Sequence, residues 1–209
     1  MQAEVIAAII TACAVAIGWV VAHVSTSKRE RAKQELEAAI RFTERQLEEL
    51  YGPLEFLRLE GQRTFKDLLD TLGRRRVFNG TELLPDAERE IWLFWAERDF
   101  MPRNEKIQQL LATNAHLIEG DQIPEAVQRF LEHHNSWRLQ HLRWKEQKVD
   151  YPLHSKIDWP IEFDEHISST FRLLKQRQTA YLARRSQYFE STCGELPNIQ
   201  KARCLLTRW

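Results

Sequence analysis

The chain has 209 residues, of which 43% are hydrophobic and 29% are charged, and its 30 Lys and Arg residues balance 30 Asp and Glu residues. This composition allows one ordinary folded domain and argues against disorder. The missing basic surplus argues against nucleic acid as a partner, because duplex binding requires cations that displace counterions. Three cysteines are too few for a disulfide framework.

The first predicted element is the uncharged run Val5–Val24, VIAAIITACAVAIGWVVAHV, which is followed by the basic segment STSKRERAK. At about 1.5 Å per residue, a helix of this length spans roughly 30 Å, the thickness of a bilayer's hydrocarbon core. A cleavable signal peptide is disfavoured, because MQAE lacks basic residues and bulky Val24 stands where a small residue is needed. A buried helix is the other alternative. The basic residues after the run predict a single-pass span with its amino terminus outside and the remaining chain in the cytoplasm.

Small residues recur along one face of this predicted span at steps of three and four. They are Ala7, Thr11, Ala14, Gly18 and Ala22. Small side chains let helices approach closely in lipid, where association depends on packing. The face therefore predicts contact with other membrane protein subunits or with a second copy. A plain alanine-rich anchor is an equal alternative.

Beyond the span, apolar positions recur at helical spacing. They are Leu36, Ile40, Thr43, Leu47, Leu50 and Leu54. This segment lacks Gly and Pro until Gly52 and Pro53, so a continuous juxtamembrane helix is expected over residues 25–52. Gly52 and Pro53 are expected to end or kink it, and a second helix is expected from Pro53 to Leu72.

The later elements are also predicted to be helices. The segment LGRRRVFNGTELLPD is expected to be a loop, Asp86 to cap AEREIWLFWAERDF, and MPRN to separate that helix from EKIQQLLATNAHLI. Pro124 is expected to open a long helix, and the last helix to run from about Ile161 toward Phe189. The prediction is an all-α protein with a transmembrane helix (1–24), a juxtamembrane helix (25–52), a cytoplasmic helical bundle (53–190) and a tail (191–209).

Several segments also resemble a family of bacterial membrane-anchored helical proteins. The segments are RQLEELYGPL, FMPRNEKI, NAHLIEG, IPEAVQRFLEHHNSW and WPIEFDEHI followed by LLKQRQ, and together they cover roughly residues 44–178. The resemblance implies a bacterial lineage and a helical architecture rather than a reaction. It is weakest at HHNSWRLQHLRW, where this chain carries heavier side chains than the family pattern implies.

Two aromatic segments are candidates for either core or interaction surface. One is IWLFWAERDF, and the other is a helix face that carries Phe130, His134, Trp137, His141 and Trp144. Core packing is the favoured interpretation, with the histidines at its edge. The alternative is a docking surface, since aromatic residues are enriched at interfaces. Its residues would be Trp92, Trp95, Phe100, His134, Trp137, His141 and Trp144.

No metal or cofactor site is expected. His134 and His141 are two helical turns apart, about 10.5 Å, which is too far for both to bind one metal without a bend. No Glu stands three residues before a His, as di-iron helices require. The run Arg74–Arg76 is interpreted as a solvated loop, with a phosphate or lipid headgroup contact as the alternative.

No catalytic motif is present: GxSxG, the P-loop, GxGxxG, HExxH and CxxC are all missing from the sequence. We therefore expect a non-enzymatic interaction protein without catalytic residues, most simply an accessory or scaffold subunit of a bacterial membrane protein complex. Its expected partners are the lipid bilayer and other membrane protein subunits or itself. The alternatives are a self-assembling membrane effector and, less favoured, a cofactor-binding helical bundle.

Overall fold

The computed structural model of the chain describes residues 2–78, 84–151, 153–155 and 157–194. Their regular structure is helical throughout, and no strand occurs among them. The prediction of an all-α protein is therefore confirmed. Residues 195–209, which form most of the predicted tail, are not among the described residues.

The described residues contain six α-helices. They are α1 (Gln2–Arg45), α2 (Gly52–Leu72), α3 (Asp86–Trp95), α4 (Met101–Thr113), α5 (Glu125–Gln147) and α6 (Ile161–Gly194). A π turn, Gln46–Tyr51, joins α1 to α2, and a second π turn, Ala96–Phe100, joins α3 to α4. A short 3-10 turn, Ala115–Leu117, follows α4.

The chain divides into two compact units. The helical body is Glu44–Gln176, and the described part of the other unit comprises residues 2–43 and 177–194. The helical body thus begins earlier and ends earlier than the predicted bundle of residues 53–190. All cavities and contacts described below lie within this body.

In the amino-terminal part of α1, the described side chains from Val15 to Val24 are exposed. Among residues with described side chains, no helix is both long and apolar enough to cross a membrane. The side chains of residues 2–12 and of Ala14 are outside this set, and with them Ala7, Thr11 and Ala14 of the predicted packing face. Gly18 and Ala22, the other two members, are exposed.

The predicted apolar stripe is buried at every position. Leu36, Ile40, Thr43, Leu47, Leu50 and Leu54 each expose 7% or less of their surface. In the helical body the stripe joins a core cluster that includes Tyr51, Phe130 and Phe163. A second cluster surrounds Leu68, Trp92 and Trp137. Helical periodicity therefore identified the buried face of this segment correctly.

The structure confirms the predicted second helix to within one residue, as α2, with Pro53 in its first turn. It corrects the expected separation at MPRN, which lies within the helical path and opens α4. Each proline stands in the first turn of a new α-helix, directly after a π turn, so the helical path continues. Proline lacks an N–H group, and its ring crowds the carbonyl four residues earlier. A π turn widens the helix at this point and makes room for that carbonyl. Beside Pro53 this carbonyl is that of Glu49, which accepts a hydrogen bond from Asn114 Nδ2 at 2.9 Å.

Gly52 is required by the first π turn. Its N–H group bonds the carbonyl oxygen of Leu47, and a Cβ atom at this position would lie only 2.5 Å from that oxygen. Any other residue would force the backbone apart. Glycine is needed here because the backbone approaches the carbonyl of Leu47 closely, and not because a helix ends.

The other boundaries are close to those predicted. Asp86 is the first residue of α3 rather than its cap, and it pairs with Arg89 at 3.0 Å instead of capping an N–H group. Helix α2 ends at Leu72, as predicted, and is followed by the cap residue Gly73, whose φ of 63° suits glycine. The predicted loop follows, and its residues 79–83, including Asn79, are outside the description. The predicted starts of α5 and α6 are confirmed within one residue.

Candidate functional site

A partly enclosed cavity of about 670 Å³ lies inside the helical body. Residues from α2, α3, α4, α5 and the start of α6 line it, together with the segments that follow α2 and α5. Its volume is within the range of small-molecule sites, roughly 300–1,000 Å³. The cavity therefore has room for an organic ligand.

Stacked aromatic rings form one wall of the cavity. The indoles of Trp92 and Trp137 stack with ring centroids 5.9 Å apart, and Phe78 and Phe100 pack against Trp92 at 5.1 and 5.7 Å. Trp92 Nε1 donates to the carbonyl of Leu153 at 2.8 Å. Trp137 Nε1 likewise donates, to the hydroxyl of Tyr151. Because both indole N–H groups are satisfied, their ring orientation is fixed and apolar surface is available to a ligand.

Arg103 forms the charged floor of the cavity. Only 6% of its side chain is exposed; Nη2 donates to Asp99, and Nε lies 3.5 Å from Glu60 Oε2. Neither Nε nor Nη1 donates a hydrogen bond to any described residue. Gly61 makes room for this guanidinium, because a Cβ atom at Gly61 would lie 3.2 Å from Arg103 Nη1.

Three further arginines line the cavity. Arg58 makes two hydrogen bonds to the carboxylate of Glu55, at 2.7 and 2.8 Å, and its charge is therefore largely balanced. Arg75 and Arg76 are exposed, and no described carboxylate pairs with either. These two side chains add positive charge to a cavity whose lining also includes Asp158 and Asp164.

The remaining polar groups include a histidine and a carboxyl. His133 Nδ1 donates to the carbonyl of Ile157 at 2.7 Å, and burial lowers the pKa of His133, which favours the neutral ring with a lone pair on Nε2. Asp164 accepts from Gln62 Nε2 at 3.2 Å, while its Oδ1 has no partner among the described residues. Burial raises the pKa of Asp164.

A second feature is an open groove of about 700 Å³ between α2 and α4. Its wall on α2 consists of Gly52, Pro53, Phe56 and Leu57, and its wall on α4 includes Lys106 and Leu110. The ring of Phe56 is 66% exposed. The groove is therefore an apolar channel that the helical body itself leaves uncovered.

The aromatic residues predicted as core or docking surface lie mostly inside the body. Trp92, Phe100, His134, Trp137 and His141 are buried, whereas Trp95 and Trp144 are half-buried. The core interpretation describes all five buried residues, and three of them, Trp92, Phe100 and Trp137, also line the cavity.

The two histidines lie inside the body rather than at its edge. His134 Nε2 lies 3.1 Å from Gln108 Oε1, and His141 Nε2 lies 3.1 Å from Glu97 Oε1. Each ring thus has its own polar partner on another helical segment, which offsets the cost of burial. Among the described residues, no group of three His, Cys, Asp or Glu side chains is arranged to hold a metal ion.

Sequence analysis missed Arg103, Gly61 and Phe56. Gly61 carried a usable signal, because an isolated glycine inside a helical pattern often marks close packing. Arg103 follows Asp99 by four residues, which is the spacing of an ordinary surface ion pair. Nothing in the pattern distinguished it from the other arginines of the chain.

Comparison with known protein families, curated proteins and solved structures finds no match for this chain. Its resemblance to bacterial membrane-anchored helical proteins therefore stays a prediction. Two segments that carry this resemblance meet in the structure. Asn114 and Glu119, from NAHLIEG, donate to the Glu49 carbonyl and the Tyr51 hydroxyl of RQLEELYGPL, both at 2.9 Å. These bonds account for the packing of the two segments.

Proposed function

We propose that this chain is a single-pass membrane-anchored interaction protein, an accessory or scaffold subunit of a bacterial membrane protein complex, and that the α2–α4 groove docks its partner. The supporting observation is the ring of Phe56, which is 66% exposed beside an uncovered apolar channel. Large aromatic side chains are enriched at protein interfaces. An apolar channel with such a ring suits an amphipathic partner helix.

The surroundings of the groove fit this role. Leu59, one helical turn beyond Phe56 on α2, is 40% exposed and extends the apolar strip. Lys106 and Gln109 on α4 supply polar atoms along the groove. This combination of apolar centre and polar rim is typical of protein interfaces.

Membrane attachment rests on the sequence of Val5–Val24 and on the basic residues that follow it. In this proposal the amino terminus is outside and the helical body is cytoplasmic. Reporter fusions at both ends of the full-length chain test the orientation. An exported carboxyl terminus, or a mature protein that begins near Ser25, would contradict it.

The docking test compares two exposed phenylalanines. Phe56→Ser removes the groove ring, and Phe94→Ser is the matched control, because Phe94 is 64% exposed on α3 and does not line the groove. After mild detergent extraction from native membranes, a partner that copurifies with the unaltered chain should be retained by Phe94→Ser and lost by Phe56→Ser. Equal retention by both variants would contradict the groove as the docking site.

The small-residue face of α1 is proposed as a second contact. Apart from the neighbouring backbone of its own helix, a Cβ atom at Gly18 would meet no atom of the described residues within 4 Å. Gly18→Leu therefore adds bulk without an internal clash, and we expect it to weaken association in the membrane. Ile17→Leu is the control. Native mass in mild detergent checks this, and a change from a homo-oligomer to a monomer would favour the self-assembling alternative over the accessory subunit.

A further inference from the structure

We propose that the cavity in the helical body binds a small amphipathic organic anion, an aromatic carboxylate being the chemical class that fits it best. The inference is independent of membrane anchoring and of the α2–α4 groove. It rests on three features of the cavity: its volume, its aromatic wall and the two arginines, Arg75 and Arg76, that have no carboxylate partner among the described residues.

The aromatic wall recognises a flat apolar body. Trp92 and Trp137 stack at 5.9 Å, and both indole N–H groups already have acceptors. Phe65 and Trp159 add further ring surface to the lining. A planar ligand would gain stacking and apolar burial here without displacing an existing hydrogen bond.

The arginines recognise a negative charge. Four arginines and two aspartates, Asp158 and Asp164, line the cavity. Arg58 is balanced by Glu55, and Arg103 is paired with carboxylates outside the lining. No described carboxylate pairs with Arg75 or Arg76, so these two side chains are the ones open to an anion.

Arg103 supports this assignment with its donors rather than with its charge: it is 94% buried and paired with Asp99 and Glu60, but its Nε makes no hydrogen bond in the described part of the chain. A buried guanidinium with unused donors is costly unless an acceptor is supplied. A carboxylate is the acceptor whose planar geometry matches the guanidinium fork.

Asp164 is a lining carboxyl whose charge would oppose a bound anion. Burial raises the pKa of its carboxyl, whereas the hydrogen bond from Gln62 and the charge of Arg58 act in the opposite direction. Charge recognition is therefore assigned to Arg75 and Arg76.

The test uses two probes that share one ring system and differ in charge, 2-naphthoate and neutral 2-naphthamide. Full-length protein in mild non-ionic detergent is titrated with each, with detergent blanks, and quenching of tryptophan fluorescence reports binding. We expect saturable binding of 2-naphthoate at least about tenfold tighter than that of 2-naphthamide, since one retained charge-assisted hydrogen bond is worth about that factor.

Three variants locate the effect. Arg75→Gln/Arg76→Gln should lower the affinity for 2-naphthoate about tenfold and leave the affinity for 2-naphthamide unchanged. The control Arg63→Gln/Arg98→Gln removes the same charge from exposed positions outside the lining. It should not change the affinity for either probe. Gly61→Leu fills space beside Arg103 and should weaken the binding of both probes. Its thermal unfolding is measured as well, to show that the variant is folded.

Several outcomes would overturn the proposal. They are no saturable binding of 2-naphthoate, equal affinity for the two probes, or equal loss in the two double-arginine variants. An equal loss of affinity in the two double-arginine variants would mean that the overall charge of the protein, and not the cavity, produces the selectivity. None of them affects the copurification result with Phe56→Ser, so the two proposals fail independently.

Discussion

The cavity and the groove share helices α2 and α4 and have similar volumes, but their linings differ in charge and in burial. Both use α2 and α4, and Leu57 lines both. The cavity contains the buried cation Arg103 and two stacked indoles. The groove contains no arginine, and its most prominent side chain is the exposed ring of Phe56.

The difference lies in how the walls are held. Around the cavity, Trp92 and His133 are each hydrogen-bonded to a backbone carbonyl of the segment after α5, at 2.8 and 2.7 Å. Fixed rings and a buried charge select a ligand by charge and shape. In the groove, Phe56, Lys106 and Gln109 are exposed and line a mainly apolar channel. A surface of this kind accepts an apolar face with few polar demands. Helices α2 and α4 thus contribute to two recesses of different character, one partly enclosed with a buried charge and the other mainly apolar and open.

The largest effect is expected from removing the buried charge. Arg103→Leu removes a buried side chain and the cation of Asp99 and Glu60; because these carboxylates are 31% and 46% exposed and can be hydrated, we expect a cost of about 2–3 kcal/mol. Chemical denaturation of the full-length protein measures the loss. Lys106→Leu on the groove side should stay within about 0.5 kcal/mol, because Lys106 is exposed. An equal loss of unfolding free energy in the two variants would contradict the difference between the cavity and the groove.

The next effect compares two glycines of α2. Gly52→Ala should cost about 2 kcal/mol, because its Cβ atom would lie 2.5 Å from a backbone oxygen that cannot move freely. Gly61→Ala should cost less than about 1 kcal/mol, because its Cβ atom meets the end of the Arg103 side chain at 3.2 Å, and that end can shift. Denaturation midpoints of the two variants provide the measurement. A larger cost at Gly61 would show that Arg103 is held more rigidly than the π turn.

The helices of this fold were predictable because burial repeats along them. Leu36, Ile40, Leu47 and Leu54 kept helical spacing and all proved buried. The π turns were not predictable in the same way. A proline such as Pro53 signals that the regular helix cannot continue, but a break, a kink and a widened turn all satisfy that requirement. The choice depended on Asn114, which caps the freed carbonyl of Glu49 from a distant part of the chain.

The cavity was only partly predictable for a related reason. The aromatic segments were recognised, and Trp92, Phe100 and Trp137 proved to be core residues that also line the cavity. Arg103 could not be distinguished from surface arginines, since its burial depends on Gly61 of another helix. Pairwise spacing reports on neighbours along one helix, whereas a cavity is defined by residues from several.

The third prediction concerns pH and the histidines of the body. Burial lowers the pKa values of His133, His134, His141 and His166. A base with a lowered pKa in the folded state stabilises the fold above its ordinary pKa, near 6.5, and loses that contribution as the pH falls toward the folded value. We therefore expect a lower Tm at pH 5.5 than at pH 7.5.

A substitution at the cavity sharpens this prediction. His133→Asn keeps a donor for the Ile157 carbonyl but cannot take up a proton, so it should reduce the loss of Tm between the two pH values. His116→Asn is the control, because His116 is exposed, and it should leave the difference unchanged. Equal pH dependence in all three proteins would show that His133 does not contribute to it.

The smallest effect on stability is expected at the groove ring, where we expect the largest effect on partner binding. Phe56→Ser should change the free energy of unfolding by no more than about 0.5 kcal/mol, because the ring is 66% exposed and contributes little to the core. Leu54→Ala, two residues earlier and only 1% exposed, should cost about 2–5 kcal/mol and shows that the assay detects burial on the same helix. Denaturant titration of both variants, without a partner, makes the comparison. A large loss in Phe56→Ser would mean that the ring stabilises the helical body itself, and its loss of a partner could then be explained by unfolding. A negligible loss leaves docking as the reason to keep a large aromatic ring in water.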